Sequence, residues 1–161
     1  HFVHQYHSDK HTVTCVPQGE IGGTYGAVLS ARDHVSGSFL VLGGDDIFSA
    51  NDLKEFVQHQ RAIGVFTCEL PGHRSVLKDA SGMFTGLGPA TSDVADIATG
   101  AYMLDPDFFN LIPHEFKPGE FGIPHTLADH AEKYPVHVVP FTKWTPVNTP
   151  EHLAKARQQF Q

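Results

Sequence analysis

The chain of 161 residues is long enough for one domain with its own hydrophobic core. Hydrophobic residues make up 40% and charged residues 18%, which excludes a disordered protein. The formal net charge of −7, without a basic cluster, argues against a nucleic-acid partner, and no apolar run approaches the ~20 residues that span a membrane. We therefore expect a cytoplasmic protein, and an acidic protein can still bind a nucleotide through backbone N–H groups and a metal.

The first half of the chain predicts strands and helices in alternation. Apolar runs predict strands at residues 13–16, 38–42 and 65–70. Two helices lie between them: the first follows a Gly-rich loop at 17–24 and ends at Ser36-Gly37, and the second follows a capping box from Ser49 to Asp52 and ends at Gly64. The order β-α-β-α-β indicates a sheet with helices on its faces.

The second half of the chain is less regular. Two strands at 75–78 and 83–85 predict a hairpin around the turn at 79–82. The remaining predicted elements are, in chain order, a loop at 89–96, a strand at 97–104, a short helix at 106–111, a helix at 123–133, a strand at 136–139 and a helix at 150–159 with Thr149 as its N-cap. Without a repeat or a linker, residues 1–161 are predicted to form a single domain.

The strand at 38–42 stops abruptly at the sequence Gly43-Gly44-Asp45-Asp46. Its apolar run predicts a buried strand, and glycines after it let the backbone approach a ligand. Asp45 would lie at the carboxyl end of the strand, where open α/β sheets bind ligands, and its carboxylate suits a hard cation such as Mg²⁺. A simple Asp-rich turn is the alternative, since turns also favour Gly and Asp.

Cysteine and histidine offer few candidates for a metal site. Cys15 and Cys68 form no CxxC pair, and their apolar contexts predict buried free thiols. A cluster of four histidines near the N-terminus suits either a zinc or nickel site or a solvated terminus, and it consists of His1, His4, His7 and His11. The other eight histidines, His125 among them, are predicted to be surface or loop residues.

Four segments, in order along the chain, resemble the sugar-1-phosphate nucleotidyltransferases. These enzymes join a nucleoside triphosphate to a sugar 1-phosphate and release pyrophosphate. The segments are 18–27 (QGEIGGTYGA), 39–45 (FLVLGGD), 98–106 (ATGAYMLDP) and 144–153 (WTPVNTPEHL). They are similar, respectively, to the family's base-contacting loop, its Mg²⁺-binding strand end, its sugar-side strand and its closing W-x-D-[IV]-[GN]-T-P-E-x-L segment.

The resemblance implies an α/β fold with a mixed, three-layer, Rossmann-like (GT-A-like) sheet, and a Mg²⁺-dependent transferase. It implies that Asp45 is the catalytic metal ligand and Asn148 a second ligand. Nucleotide and sugar contacts are implied for Gln18, Gly23, Thr24 and Gly44, and for Gly100 and Tyr102, respectively. The ordinary alternatives stay open, because Thr suits a helix N-cap, a strand can hold a half-buried Tyr, and Trp144 suits packing.

The chain also departs from the family's pattern. The phosphate-binding L-A-A-G-x-G-x-R and P-K motifs do not appear, so we expect a fold truncated on its N-terminal side. Pro146 stands where the family has a second acidic metal ligand, Ala98 replaces an Asn, and the E-K-P segment is reduced to 86–89. We therefore expect the isolated chain to be inactive, with a non-catalytic binding or regulatory module as the alternative function.

A sheet edge left free by truncation predicts a homodimer, or pairing with the missing segment.

Overall fold

A computed structural model describes residues 12–69, 74–89 and 93–159. The N-terminal histidine cluster lies outside these residues. The strands are, in chain order, β1 (Phe39–Val41), β2 (Asp46–Phe48), β3 (Ala62–Cys68), β4 (Arg74–Lys78), β5 (Phe84–Pro89), β6 (Ala95–Leu104), β7 (Glu115–Lys117), β8 (Glu120–Phe121), β9 (His137–Pro140) and β10 (Trp144–Pro146). The α-helices are α1 (Gly23–Ser30), α2 (Ala50–Phe56), α3 (Ile123–Asp129) and α4 (Pro150–Gln159), and 3₁₀ turns occur at Arg32–His34 and Pro106–Asn110.

The central sheet has four strands in the order β1-β6-β3-β9. Strand β6 pairs antiparallel with both β1 and β3, whereas β3 pairs in parallel with β9. Three smaller antiparallel pairs surround it: β2 with β10, β4 with β5, and β7 with β8. The predicted mixed α/β sheet is therefore confirmed.

Side chains alternate between the two faces of the central sheet, as the pleat of a strand requires. On one face, Tyr102 and Leu104 of β6 pack in a large cluster with Phe108 and with residues of α1 and α3. On the other face, Ala101 and Met103 join a smaller cluster that includes Phe56 of α2. Helices thus cover both faces and give three layers. Within the described residues, no helix has the length and hydropathy to cross a membrane.

Local signals locate most elements within a few residues of their predicted positions. Ser49 caps α2 by accepting a hydrogen bond from the backbone of Asp52, as the capping box predicts. The carboxylate of Asp52 has another partner, since it accepts hydrogen bonds from Thr142 and from the backbone N–H of Lys143. The hairpin turn at 79–82 and the cap of α4 by Thr149 are also confirmed.

Three predictions about secondary structure are wrong. Residues 13–16 form no strand and are largely exposed, because they pair with no other strand of the described chain; Cys15 is exposed with them. Helix α1 begins within the expected loop, at Gly23. Gly64 does not end a helix but lies inside β3, where a Cβ would stand 2.9 Å from Thr99 Oγ1 and 3.0 Å from a ring carbon of Phe141.

Strand β1 is less buried than its apolar sequence predicts. It lies at one edge of the central sheet as described, and it pairs only with β6. Leu40 remains 37% exposed, and Leu42, just past the strand, remains 41% exposed. The hydrophobicity of the run correctly predicts a strand, but burial depends on a neighbour that the sequence does not identify.

A buried polar network fixes the end of β6. Asp105 accepts a hydrogen bond from Tyr134 Oη at 3.1 Å, and its backbone N–H donates to the same hydroxyl at 3.2 Å. Arg61 completes the network through a 2.6 Å ion pair between its Nε and the carboxylate of Asp105, with its guanidinium 4.0 Å from the centre of the Tyr134 ring. Burial raises the pKa of Tyr134 above its ordinary value, so the hydroxyl stays protonated.

Replacement of this hydroxyl should measurably destabilise the fold. We expect Tyr134→Phe to lower the free energy of unfolding by about 1–3 kcal/mol, because it leaves a buried N–H unpaired. Denaturant unfolding would measure the change. The matched control is Tyr25→Phe, which removes a single 3.2 Å bond to the carbonyl of Leu111 and should cost less. Equal losses in the two variants would contradict the network.

Candidate functional site

An open cleft of about 580 Å³ lies beside β6. It brings together parts of the chain that are far apart in sequence. Its walls include the acidic and neutral residues Asp46, Gly100, Tyr102, Trp144 and Asn148, and the basic residues Arg74, Lys117 and His125. Three of the four segments singled out by the sequence therefore contribute walls, or immediate neighbours of walls, to one cavity.

Pairing between β2 and β10 builds one wall of the cleft. The register places Pro146 opposite Asp46 and Trp144 opposite Phe48. Just beyond the ladder, the backbone N–H of Val147 donates a 2.7 Å hydrogen bond to the carbonyl oxygen of Asp45. The closing segment of the sequence is thus fastened to the turn that contains both aspartates.

Asp46 holds its carboxylate in a space between two glycines. A Cβ on Gly100 would stand 2.8 Å from Asp46 Oδ2, and a Cβ on Gly43 would also collide with that oxygen. Gly100 additionally has φ of +81°, a conformation that L side chains rarely adopt. The other carboxylate oxygen accepts a 2.8 Å hydrogen bond from Nε1 of Trp144. These glycines accommodate the protein's own carboxylate rather than only a ligand.

The environment of Asp46 changes its acidity. Burial raises the pKa of Asp46 above its ordinary value, the hydrogen bond from Trp144 opposes that rise, and the charge of Asp45 adds to it. Burial, together with the nearby charge of Asp46, also raises the pKa of Tyr102, so the phenol remains protonated. The cleft therefore combines a carboxylate, a neutral phenol and an indole that is fixed by the carboxylate.

Three of the predicted site residues line the cleft, namely Gly100, Tyr102 and Asn148. Asp45, predicted as the metal ligand, lies exposed in the turn between β1 and β2 and is not among the cleft residues identified above. Gly44 is also exposed in this turn, with open space where a Cβ would stand. Because β2 begins at Asp46, the side chain that reaches the cleft is that of the second aspartate.

The predicted nucleotide-contacting residues of the Gly-rich loop make contacts within the protein. Gln18 donates from Nε2 to the carbonyl oxygens of Ile21 and Gly23, at 2.9 and 3.1 Å. Gly23 has φ of +76°, and a Cβ there would collide with the backbone of Phe121. These contacts fix the loop at the start of α1.

Thr24 is not the N-cap of α1, because that position belongs to Gly22. Its hydroxyl instead accepts a 3.1 Å hydrogen bond from the backbone N–H of Ile123, the first residue of α3. The Gly-rich loop is thus tied to the helix that carries His125, although the two are separated by almost 100 residues in sequence.

The sequence does not predict most of the polar side chains that line the cleft. The sequence singles out Asp45 rather than Asp46 as the metal ligand, and it suits Trp144 to packing. Trp144 does pack against Phe66, with ring centroids 6.0 Å apart, but it also fixes Asp46. The position of this single Trp in the closing segment was the available signal. Nothing in the local sequence around Lys117 or His125 indicated a cleft.

The side-chain oxygens in and beside the cleft have the chemistry that a hard cation prefers. Among the described residues there is no group of three or more His, Cys, Asp or Glu side chains that could hold a metal. Carboxylates from Asp45 and Asp46 and the amide oxygen of Asn148 remain, and Mg²⁺ needs only one or two carboxylates because it keeps several waters. The donor set therefore fits Mg²⁺ better than zinc, which prefers nitrogen and sulfur.

Solved structures share this fold at low sequence identity. The chain aligns with UDP-glucose pyrophosphorylase from Acinetobacter baumannii with a TM-score of 0.71 and 18% identity, covering 98% of this chain and 62% of that one. It aligns with the inositol-1-phosphate CTP transferase from T. maritima with a TM-score of 0.65 and 20% identity, covering 86% and 61%. The chain therefore shares the layered α/β fold of these two proteins.

Sequence similarity adds a more specific relationship. No protein-family model matches the chain. Over 110 residues it is 34% identical to the bifunctional protein GlmU of Methanocaldococcus jannaschii, a match covering 66% of this chain and 27% of that protein. The chain thus spans about a quarter of the length of this curated relative. In sequence as well as fold it resembles the sugar-1-phosphate nucleotidyltransferase family, as its four motifs predict.

Gly100→Ala should displace the carboxylate of Asp46, because the new methyl group would stand only 2.8 Å from Asp46 Oδ2. We expect a change in Trp144 fluorescence and a loss of stability larger than the roughly 1–2 kcal/mol of left-handed strain alone. Gly82→Ala is the matched control, since Gly82 has φ of +82° and nothing within 4 Å of a Cβ. Indistinguishable stability and fluorescence changes in both variants would contradict the proposed contact.

Trp144→Phe should raise the pKa of Asp46 further. The indole hydrogen bond stabilises the charged carboxylate, so its loss leaves burial and the charge of Asp45 less opposed. Titration of the Asp46 carboxyl carbon by NMR would measure the shift. An unchanged or lower pKa would show that the indole does not stabilise the carboxylate.

Proposed function

We propose that this domain transfers a nucleotidyl group from a nucleoside triphosphate to a sugar 1-phosphate, giving a nucleotide sugar and pyrophosphate. The observation that carries the proposal is that three of the four family-like segments meet at the cleft. The second, third and fourth family-like segments meet there through the turn of Asp45, the strand with Gly100 and Tyr102, and the segment with Asn148.

The chemistry requires positioning more than acid–base catalysis. An oxygen of the sugar phosphate attacks the α-phosphorus in line, and pyrophosphate departs. Gln18, Gly23, Thr24 and Gly44 are the proposed nucleotide contacts, and Gly100 and Tyr102 the proposed sugar contacts. A protonated Tyr102 suits this role, because it can donate to a sugar oxygen or accept from a hydroxyl.

We propose Mg²⁺ as the cofactor, held by Asp45 and Asn148 with Asp46 as a neighbouring carboxylate. When bound, it would neutralise charge that develops on the phosphates. The hydrogen bond from the backbone N–H of Val147 to the carbonyl oxygen of Asp45 supports this pairing. It holds Val147 beside the aspartate turn, and Asn148 is the next residue along the chain. The mutual repulsion of two adjacent carboxylates also favours a cation between them.

A non-catalytic binding or regulatory module is the second candidate function. Pro146 favours it, because the register puts this side chain, which cannot bind a metal, directly opposite Asp46. Ala98, also in the cleft, offers no polar group to a sugar. A module of this kind would bind a nucleotide or a nucleotide sugar without turnover.

Strand β1 supports a proposal about partners. Its outer edge pairs with no other strand of the described chain, and Leu40 stays partly exposed. We infer that another strand covers this edge, either from a second copy of the chain or from a segment outside the described residues. The proposed substrates are consistent with the cytoplasmic location that the sequence predicts.

Substitution of the two aspartates tests the proposed metal ligands. We expect Asp45→Ala to lower Mg²⁺-dependent pyrophosphate release by about 100-fold or more, since it removes charge stabilisation from the transition state. The assay should use the longest natural polypeptide that contains this chain, because the isolated chain is expected to be inactive. Asp33→Ala, which removes an exposed carboxylate from the 3₁₀ turn at Arg32–His34, is the control and should have no effect.

The same assay separates the alternatives. Undiminished release by Asp45→Ala, with loss in Asp46→Ala, would move the metal ligand to Asp46. Saturable binding of a nucleotide sugar, without pyrophosphate release from any tested pair of triphosphate and sugar phosphate, would favour the non-catalytic module.

A further inference from the structure

His125 occupies a constrained position in the wall of the cleft. Its ring stacks on that of Phe116, with centroids 4.9 Å apart and planes 6° from parallel. Its ring also stacks on that of His114, with centroids 5.4 Å apart and an angle of 26° between the ring planes. His114 is itself fixed by a 2.7 Å hydrogen bond between its Nδ1 and the carboxylate of Asp129. Two rings, those of Phe116 and His114, and the carboxylate of Asp129 therefore hold the imidazole of His125 in a defined orientation.

The two ring nitrogens of His125 have different environments. Nδ1 is buried without a hydrogen-bond partner, and the backbone of Gly122 lies against it, since a Cβ at Gly122 would be 2.6 Å away. Nε2 is not buried in this way, and no residue of the described chain is a hydrogen-bond partner for it. A bare lone pair is easier to bury than an unpaired N–H, so we assign the proton to Nε2.

The groups around His125 favour a neutral ring. Burial lowers the pKa of His125 below its ordinary value, and the nearby His114 and Arg74 lower it further, while Asp129 opposes them. The ring is therefore uncharged near neutral pH and offers the cleft an N–H donor. Because its neighbours in the wall include the cations Arg74 and Lys117, this part of the cleft presents donors to a ligand.

We propose that His125 is a specificity-determining residue, which presents a fixed, uncharged Nε2–H donor to a charged oxygen of the acceptor substrate. The donor and the two cations suit an oxyanion, which is either the phosphate of a sugar phosphate or a carboxylate on a sugar. The identification of the ligand as the acceptor substrate rests on the proposed function. The orientation and tautomer of the ring do not depend on that function.

Nitrogen NMR of the imidazole in the wild-type chain at pH 7.5 tests the geometric part. The expected result is a proton on Nε2 of His125 and none on Nδ1. A proton on Nδ1, or rapid exchange between the two tautomers, would overturn the proposal. The measurement needs no variant and no turnover, so its outcome is independent of whether the protein is a transferase.

His125→Phe tests the binding role, because it retains a stacked ring and removes the donor. We expect its affinity for α-D-glucose 1-phosphate or for glucuronate, measured by calorimetry, to fall about 10- to 100-fold. If only the affinity for the sugar phosphate falls, His125 contacts a phosphate oxygen. If only the affinity for glucuronate falls, it contacts a carboxylate. Affinity equal to wild type for both would overturn the proposal.

Two further variants control for structural effects. His59→Phe makes the same change in a ring that pairs with His137 at 5.2 Å and is not among the cleft residues named above, so it should bind both ligands like the wild type. His125→Gln restores an N–H donor without the ring and should recover part of the affinity. A weakened His59→Phe, or a His125→Gln no better than His125→Phe, would contradict a donor role.

Discussion

The cleft depends on one hydrogen-bonded carboxylate. Asp46 fits between Gly43 and Gly100 only because neither has a side chain, and Trp144 Nε1 holds it there. This contact joins the turn after β1, the middle of β6 and the closing segment of the chain. If the carboxylate were displaced, β2 and β10 would lose the side-chain contact that aligns them beside the central sheet. A single half-buried carboxylate thus connects three segments that are remote in sequence.

Electrostatics divides the cleft into two regions of opposite chemistry. Around Asp46 the protein supplies carboxylate and amide oxygens, which attract a cation. Arg74, Lys117 and the neutral ring of His125 supply N–H donors, which attract an oxyanion. A substrate that carries a phosphate together with a bound cation satisfies both regions. This division supports a nucleotidyl transfer site more strongly than either region does alone.

The sequence predicts elements whose signals are local, such as the Ser49 cap and the turn at 79–82. It fails where tertiary packing decides. The apolar residues at 13–16 find no strand partner in the described chain, and Gly64 serves close packing inside β3 rather than a helix end. In the site, the family motifs locate the cleft, but the side chain facing it is Asp46 because the start of β2 sets which aspartate points inward. His125 gives no local signal, since its role arises from rings on other elements.

The most direct test of a single shared site is paramagnetic broadening by Mn²⁺, used in place of Mg²⁺ together with a nucleoside triphosphate. We expect the amide signals of Asp46, Gly100 and Asn148 to broaden first and together, because these residues line one cavity. Broadening confined to a distant surface, such as the one around His137, would contradict it. So would broadening of the aspartate turn alone without Gly100 and Asn148, because the three segments would then not share one metal–nucleotide site.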